Sequence, residues 1–332
     1  MIKVINNVAN KYKVIAMNGA SSSDDFQTAE SFGRYGFQTC FSANQVARGL
    51  AHYYGQIRKK EKKFFILCQD YGFGRVFADG FKRGLKEYYP EAEIVGEDYH
   101  KLFLTDFAPY LTKIKASGAE VIFTGDWIPD AANLAKQARG MGINLPFANL
   151  WMIDANLLHE LGAEATKGWV HVGPFHSPVP FDSVPGYTKF YEAWNDQWKK
   201  WKTVPYNSRS FEHPVGITGS WIMETHWLLS VMERVKSTDA DKIVQLWEGV
   251  TYRQVRGKVM KMRACDHKVI QDLSAEEFEP PEQQKASFTI PPYYWFKGAS
   301  FTGSIYRLPA ETILPWMDPE LDRCKGKNGW GE

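Results

Sequence analysis

Short unbroken apolar runs alternate along this chain with longer stretches in which apolar residues recur every three or four positions. The clearest run is Phe64 to Cys68, followed by the turn Tyr71-Gly72-Phe73-Gly74 and a helix entered at Arg75. Five apolar or sulfur residues in succession fit a parallel strand covered on both faces, and Gly72 and Gly74 permit a tight exit from strand to helix. The same reading predicts strands at 13–17, 37–41, 93–97, 120–124, 146–150 and 168–172, with helices at 1–12, 42–58, 107–117 and 129–141. Strands and helices taking turns in this way specify an α/β fold with a doubly wound parallel sheet. Ligands of such sheets bind at the carboxyl ends of the strands.

After 172 the rhythm changes. A stretch carrying Pro174, Pro178, Pro180 and Pro185 reads as a crossing between domains, and helices are predicted at 187–201, 216–235 and 240–247. In the first of these Tyr187, Phe190, Trp194, Trp198 and Trp201 form a stripe at helical spacing, which is a core pattern and not a cofactor box. From Tyr252 the pattern turns to β, with one further strand at 293–296. A chain of 332 residues exceeds what one core commonly supports, so two lobes are expected.

Composition excludes several classes of function. With 40 basic against 38 acidic residues the net charge is +2, too weak a field to suggest nucleic acid or an anionic membrane. The basic run from Arg58 to Lys63 reads as a solvated helix end. Gly72-Phe73-Gly74-Arg75-Val76-Phe77 puts a bulky Phe where a dinucleotide fingerprint needs a small residue. There is no nucleophile elbow and no zinc motif: His159-Glu160 lacks its second His, and His267 stands alone. No cofactor and no metal are expected. Cys40 and Cys68 lie in strand-like runs and read as buried small hydrophobes, whereas a bridge between Cys265 and Cys324 is left open by spacing alone. The first 17 residues hold no apolar stretch of signal-peptide type.

Candidate binding residues cluster where strands end. Gly19, Ala20 and Ser21 follow the first strand and offer amides and a hydroxyl to a carboxylate or carbonyl, although a plain Ser/Asp helix cap explains that loop equally well. Tyr71, Trp127 and Trp151 each follow a predicted strand of one sheet and can line one cleft.

Taken with Asp70-Tyr71-Gly72-Phe73-Gly74, Thr105-Asp106-Phe107-Ala108-Pro109, Lys136-Gln137-Ala138-Arg139 and Arg263-Ala264-Cys265-Asp266-His267, the chain resembles type I periplasmic solute-binding proteins of ABC importers, in the branched-chain amino-acid and amide-binding group. The resemblance implies two doubly wound lobes joined by three crossing strands that clamp a ligand by hinge closure. Lobe one then comprises 1–41 and 177–262, and lobe two 42–176 and 263–332. Family members begin with roughly two to three further strand–helix units, so lobe one is expected to lack its N-terminal part. The resemblance further implies a monomeric, non-catalytic receptor, periplasmic or lipid-anchored, that serves an ABC permease, with its export segment outside this chain. It also implies that Gly19, Ala20 and Ser21 hold a ligand carboxylate and that Tyr71 and Trp127 are aromatic walls. Trp151 occupies the position where amino-acid binders carry an acid for the ammonium, and Asp154 is the nearby substitute. A buried ammonium without an anion costs several kcal/mol, so a small aromatic or apolar carboxylate is expected, with an amino acid or amide as the alternative and a quaternary ammonium in an aromatic cage as a minor one. The rival functions are a ligand-sensing ectodomain and an enzyme of doubly wound fold, the latter requiring a titratable pair within hydrogen-bond reach in the cleft.

Overall fold

The computed structural model describes residues 2–153, 155–174, 217–255, 257–279 and 302–332, with short helical pieces at 186, 189–190, 192–193 and 196–197. Its central feature is a seven-stranded sheet built from β3 (Lys63–Gln69), β4 (Glu93–His100), β5 (Val121–Thr124), β6 (Phe147–Asn149), β7 (Val170–Gly173), β11 (Leu273–Phe278) and β12 (Thr302–Leu308). The strand order is β12-β11-β7-β6-β5-β3-β4; β4 through β7 run parallel, and β11 and β12 are antiparallel additions at one edge.

The expected two-sided burial of β3 is observed residue by residue. Phe64, Ile66 and Cys68 join one core with helices α2 (Ala43–His52) and α3 (Gly72–Tyr88). Phe65 and Leu67 point the other way, into a second core with α4 (Ala108–Ala116), α5 (Asp130–Gly140) and α6 (Ala155–Thr166). Phe77, the residue that argued against a dinucleotide turn, stacks on Phe123 of β5 at 4.7 Å. The connection from β3 goes outward to the edge strand β4 and the next one returns to β5, so the winding reverses between β3 and β5.

A smaller unit precedes and follows this sheet in sequence. β1 (Ala16–Asn18) pairs in parallel with β2 (Gly36–Gln38), and β8 (Thr251–Arg253), β9 (Val259–Met262) and β10 (Val269–Gln271) form an antiparallel sheet. They share a core with α1 (Ile2–Tyr12), α7 (Ile217–Val235) and α8 (Ala240–Trp247), centred on Phe37, Trp227 and Trp247. The chain passes from the small unit to the large one at 39–42 and again between Gln271 and Leu273.

Several predicted boundaries need correction. The helix expected at Arg75 begins at Gly72, because Gly74 has no β-carbon to strike Gln69 O, from which an added one would lie 2.0 Å. The helix expected over 42–58 is regular only to His52 and ends in a wider π turn, Tyr53–Arg58. Arg58 is not a solvated helix end: its guanidinium pairs with Glu61 at 2.7 Å and with Glu277 at 2.7 Å, largely out of water. Helix α6 and strands β10 to β12 were not expected. The helix predicted over 187–201 lies largely outside the described residues, and the strand at 293–296 wholly so.

Candidate functional site

The reversal of winding puts two loops side by side, the one after β3 and the one after β5. Tyr71 and Trp127 stand on them, and Trp127 Nε1 donates a 2.9 Å hydrogen bond to Tyr71 Oη. Burial pushes the Tyr71 phenol up to about 12, with the bond from Trp127 opposing it, so the hydroxyl stays protonated at neutral pH. It accepts from the indole and keeps its own proton to donate outward. Trp151, after β6, is half-buried against the same core and lies 5.6 Å from Phe41, on the first crossing between units. Asp154 lies outside the described residues.

The loop after β1 comes to these residues from the small unit. Asn18 folds it: its side chain receives Ser21 N–H at 2.9 Å and donates to Ser21 O at 2.7 Å. The Ser21 amide is therefore occupied, while Ala20 remains exposed. The next hydroxyl, Ser22 Oγ, is buried without a hydrogen-bond partner among the described residues. Asp25, further along, lies against the first turn of α3; a β-carbon added to Gly72 would sit 2.9 Å from its Oδ2. Asp24 is committed elsewhere: it accepts from Asn44 N–H at 2.8 Å, contacts Ser42 Oγ and pairs with Lys268 Nζ at 3.2 Å, capping α2. The loop is thus fastened to Ser42 on the first crossing, to Asn44 in α2 and to Lys268 just ahead of β10.

Gly19 faces α7. A β-carbon there would meet Glu224 Oε2 at 2.6 Å and Trp221 Cδ1 at 3.7 Å. Glu224 is buried and accepts from Thr39 Oγ1 at 2.9 Å. Sequence reasoning missed both Ser22 and Glu224. The signal for Glu224 was an acid beside the core positions Met223, Trp227 and Val231 in a helix whose other charged residues fall in its last turn, since a carboxylate is buried only where something pairs with it.

Beneath the aromatic pair, His100 Nε2 and Asp126 Oδ2 are 2.8 Å apart, both side chains fully buried. Burial pulls the imidazole down, but the bond to Asp126 and its charge outweigh that and leave His100 above its ordinary value. The geometry is that of a titratable pair, yet with no exposed surface it cannot meet a substrate; its reach is to hold the strand end that carries Trp127. Two surface hollows, of about 480 and 450 Å³, lie elsewhere, one beside α3 and β4 and one beside β9 and Trp330, and none of the expected binding residues lines either.

Comparison with known proteins accords with this architecture. A sequence profile of the family described as "Periplasmic binding protein" matches residues 2–279. "Leu/Ile/Val-binding protein homolog 4" of Brucella melitensis biotype 1 is 25% identical over 236 residues, which is 71% of this chain and 51% of that protein. The chain therefore spans about half the length of the curated relatives it matches. Among solved structures, the leucine-, isoleucine-, valine-, threonine- and alanine-binding protein of Brucella ovis in its closed conformation superposes with a TM-score of 0.75 at 18% identity, covering 95% of this chain and 77% of that one. A solute-binding protein of an ABC transporter from Rhodopseudomonas palustris HaA2, solved with p-hydroxybenzoic acid, gives a TM-score of 0.72 at 18% identity, covering 93% and 76%.

Proposed function

This chain belongs to the periplasmic binding protein family, and from that premise we propose that it is a non-catalytic solute receptor of an ABC importer, working outside the cytoplasmic membrane. The observation that carries the reading is the Tyr71 and Trp127 pair at the point where the sheet reverses its winding, approached from the other unit by Asp25, just beyond the Gly19 to Ser21 loop. We take the small unit as lobe one, extending through Gln271 because β10 still pairs with β9, and the large sheet as lobe two. The Cys265–Cys324 disulfide suits an oxidising compartment and supports the location.

The solute we propose is a small carboxylate with an apolar or aromatic body. Ser21 supplies a hydroxyl for the carboxylate, and Tyr71 and Trp127 supply flat walls. Glu224 adds a condition, because a buried carboxylate beside Gly19 repels a second anion and attracts a cation. It favours a solute that also carries an ammonium, an amino acid with an apolar or aromatic side chain. This supplies from lobe one the acid that Trp151 replaces in lobe two. The p-hydroxybenzoate complex of a structural relative keeps a plain aromatic acid as the second reading.

Calorimetric titration of the purified chain with L-leucine, L-phenylalanine and 4-hydroxybenzoate separates them. On the first reading an amino acid binds and Glu224→Gln weakens it about tenfold or more, the loss of an ion pair desolvated on one side. Binding of 4-hydroxybenzoate alone, undiminished by Glu224→Gln, selects the second. Turnover of a bound probe by the pure protein would defeat both.

A further inference from the structure

Phe103 combines two placements that a large apolar residue avoids. Its side chain is 60% exposed, and its backbone takes φ 61°, a left-handed conformation bulky residues adopt only where their surroundings enforce it. The enforcement is visible. Phe103 N–H donates at 2.9 Å to Oδ2 of Asp130, which is fully buried and also receives Gln69 Nε2 at 2.7 Å. Asn133 Nδ2 donates to Leu104 O at 3.2 Å. Gln137 receives Phe107 N–H and donates to Thr105 O, both at 2.8 Å. Three side chains of α5 thus fix a turn that holds a ring out in water, edge-on to Trp127 at 5.8 Å and 90°. Core packing does not account for the ring, and a glycine or a polar residue would suit the turn better.

We propose that Phe103 is a specificity-determining residue of the solute site, closing the outer end of the Tyr71 and Trp127 row over the apolar body of the bound solute. The inference rests on the receptor reading above. A ring held in place before binding loses no conformational freedom when the solute arrives, and exchanges water for an apolar partner. It also extends the row beyond Trp127, so on this reading its size sets how long an apolar body the row accepts.

The test compares the unaltered chain with Phe103→Gly and Phe103→Leu, titrating L-leucine, L-phenylalanine and 4-hydroxybenzoate into each. Glycine suits the left-handed backbone, so the solute-free Gly variant is expected to melt within about 3 °C of the unaltered chain while its Kd for the bound probe rises about tenfold. The Leu variant is expected to keep the aliphatic probe and lose preference for the aromatic ones. Equal Kd values in all three chains overturn the inference and leave the receptor reading standing. A Gly variant melting far below the unaltered chain makes the ring structural and overturns it too. Failure of the unaltered chain to bind any probe overturns both readings together.

Discussion

Gly74 sets how closely helix α3 approaches strand β3. Its place in Tyr71-Gly72-Phe73-Gly74 required a tight strand exit, and the helix indeed begins so close to β3 that an added β-carbon would lie 2.0 Å from Gln69 O. Gly74→Ala must therefore push helix and strand apart, and a loss of about 1–3 kcal/mol is expected, measurable as a lowered urea midpoint with the slope unchanged. The other residues that made the chain recognisable turn out to build the frame. Arg139 donates to the carbonyls of Ile143, Leu145 and Ala165, Gln137 holds the loop before α4, and Asp106 accepts from Ala108 N–H at the start of that helix. The residues proposed to face a solute were harder to read. Glu224 looks like a surface acid unless its place beside Met223, Trp227 and Val231 is weighed, and Phe103 looks like any loop residue until its backbone angle is known, because a left-handed φ leaves no trace in local composition.

Elements were legible where one periodicity ruled and illegible where contacts decided. Helix α8 was predicted at its observed bounds, 240–247, since its apolar face is plain and Asp239 caps it through Lys242 N–H. Helix α6 was missed: Gly162 breaks its geometry with φ 76°, and two short pieces give no long pattern. Strand β11 takes its partners from distant segments, β7 and β12, so alternation within one segment could not reveal it. At this scale the end of α8 also carries a pH-dependent tie. Glu248 receives Arg323 and lies 2.8 Å from His267, which is stacked on Phe37. Burial pushes the Glu248 carboxyl up, but the bonds from His267 and Arg323 bring it down to about 2. A folded value below the unfolded one means stability present above about 4.5 and lost as the pH falls from there toward 2. Because the Glu248 side chain is partly exposed, the tie is worth about 1–2 kcal/mol after screening. Glu248→Gln should remove that share of the stability difference between pH 6 and pH 3, read from urea midpoints at the two values; an unchanged difference would mean the tie contributes nothing.

For the whole molecule, the tail is what could not be foreseen from the sequence. Residues after β12 first hold lobe two: Leu314 O receives Arg48 at 2.8 Å, Trp316 lies under Arg83, and Ile313 enters the core of α2 and α3. They then hold lobe one and the crossing, through Asp318 to Ala29 N–H, Arg323 to Glu248 and the disulfide from Cys324 to Cys265. Arg263, fully buried, binds Asp266 on two sides and donates to Pro315 O and Gly329 O, fixing the tail at two further points. Spacing left the Cys265–Cys324 pairing open, and only the fold brings the two α-carbons to 5.1 Å. With a sequence separation of 59, reducing the bridge or replacing both cysteines by serine is expected to lower unfolding stability by about 2–4 kcal/mol, checked by urea titration with and without reductant.

The reversal of winding between β3 and β5 has a consequence for how such a protein diversifies. Tyr71, Trp127 and Phe103 all stand on loops beyond strand ends, while the sheet beneath them is sealed by residues such as Cys68 and Phe123 that touch no solute. On the proposed receptor reading, exchanging the loops would therefore rewrite what is recognised at little cost to folding, and a lineage built on this frame would move from one class of nutrient to another by changing three short segments.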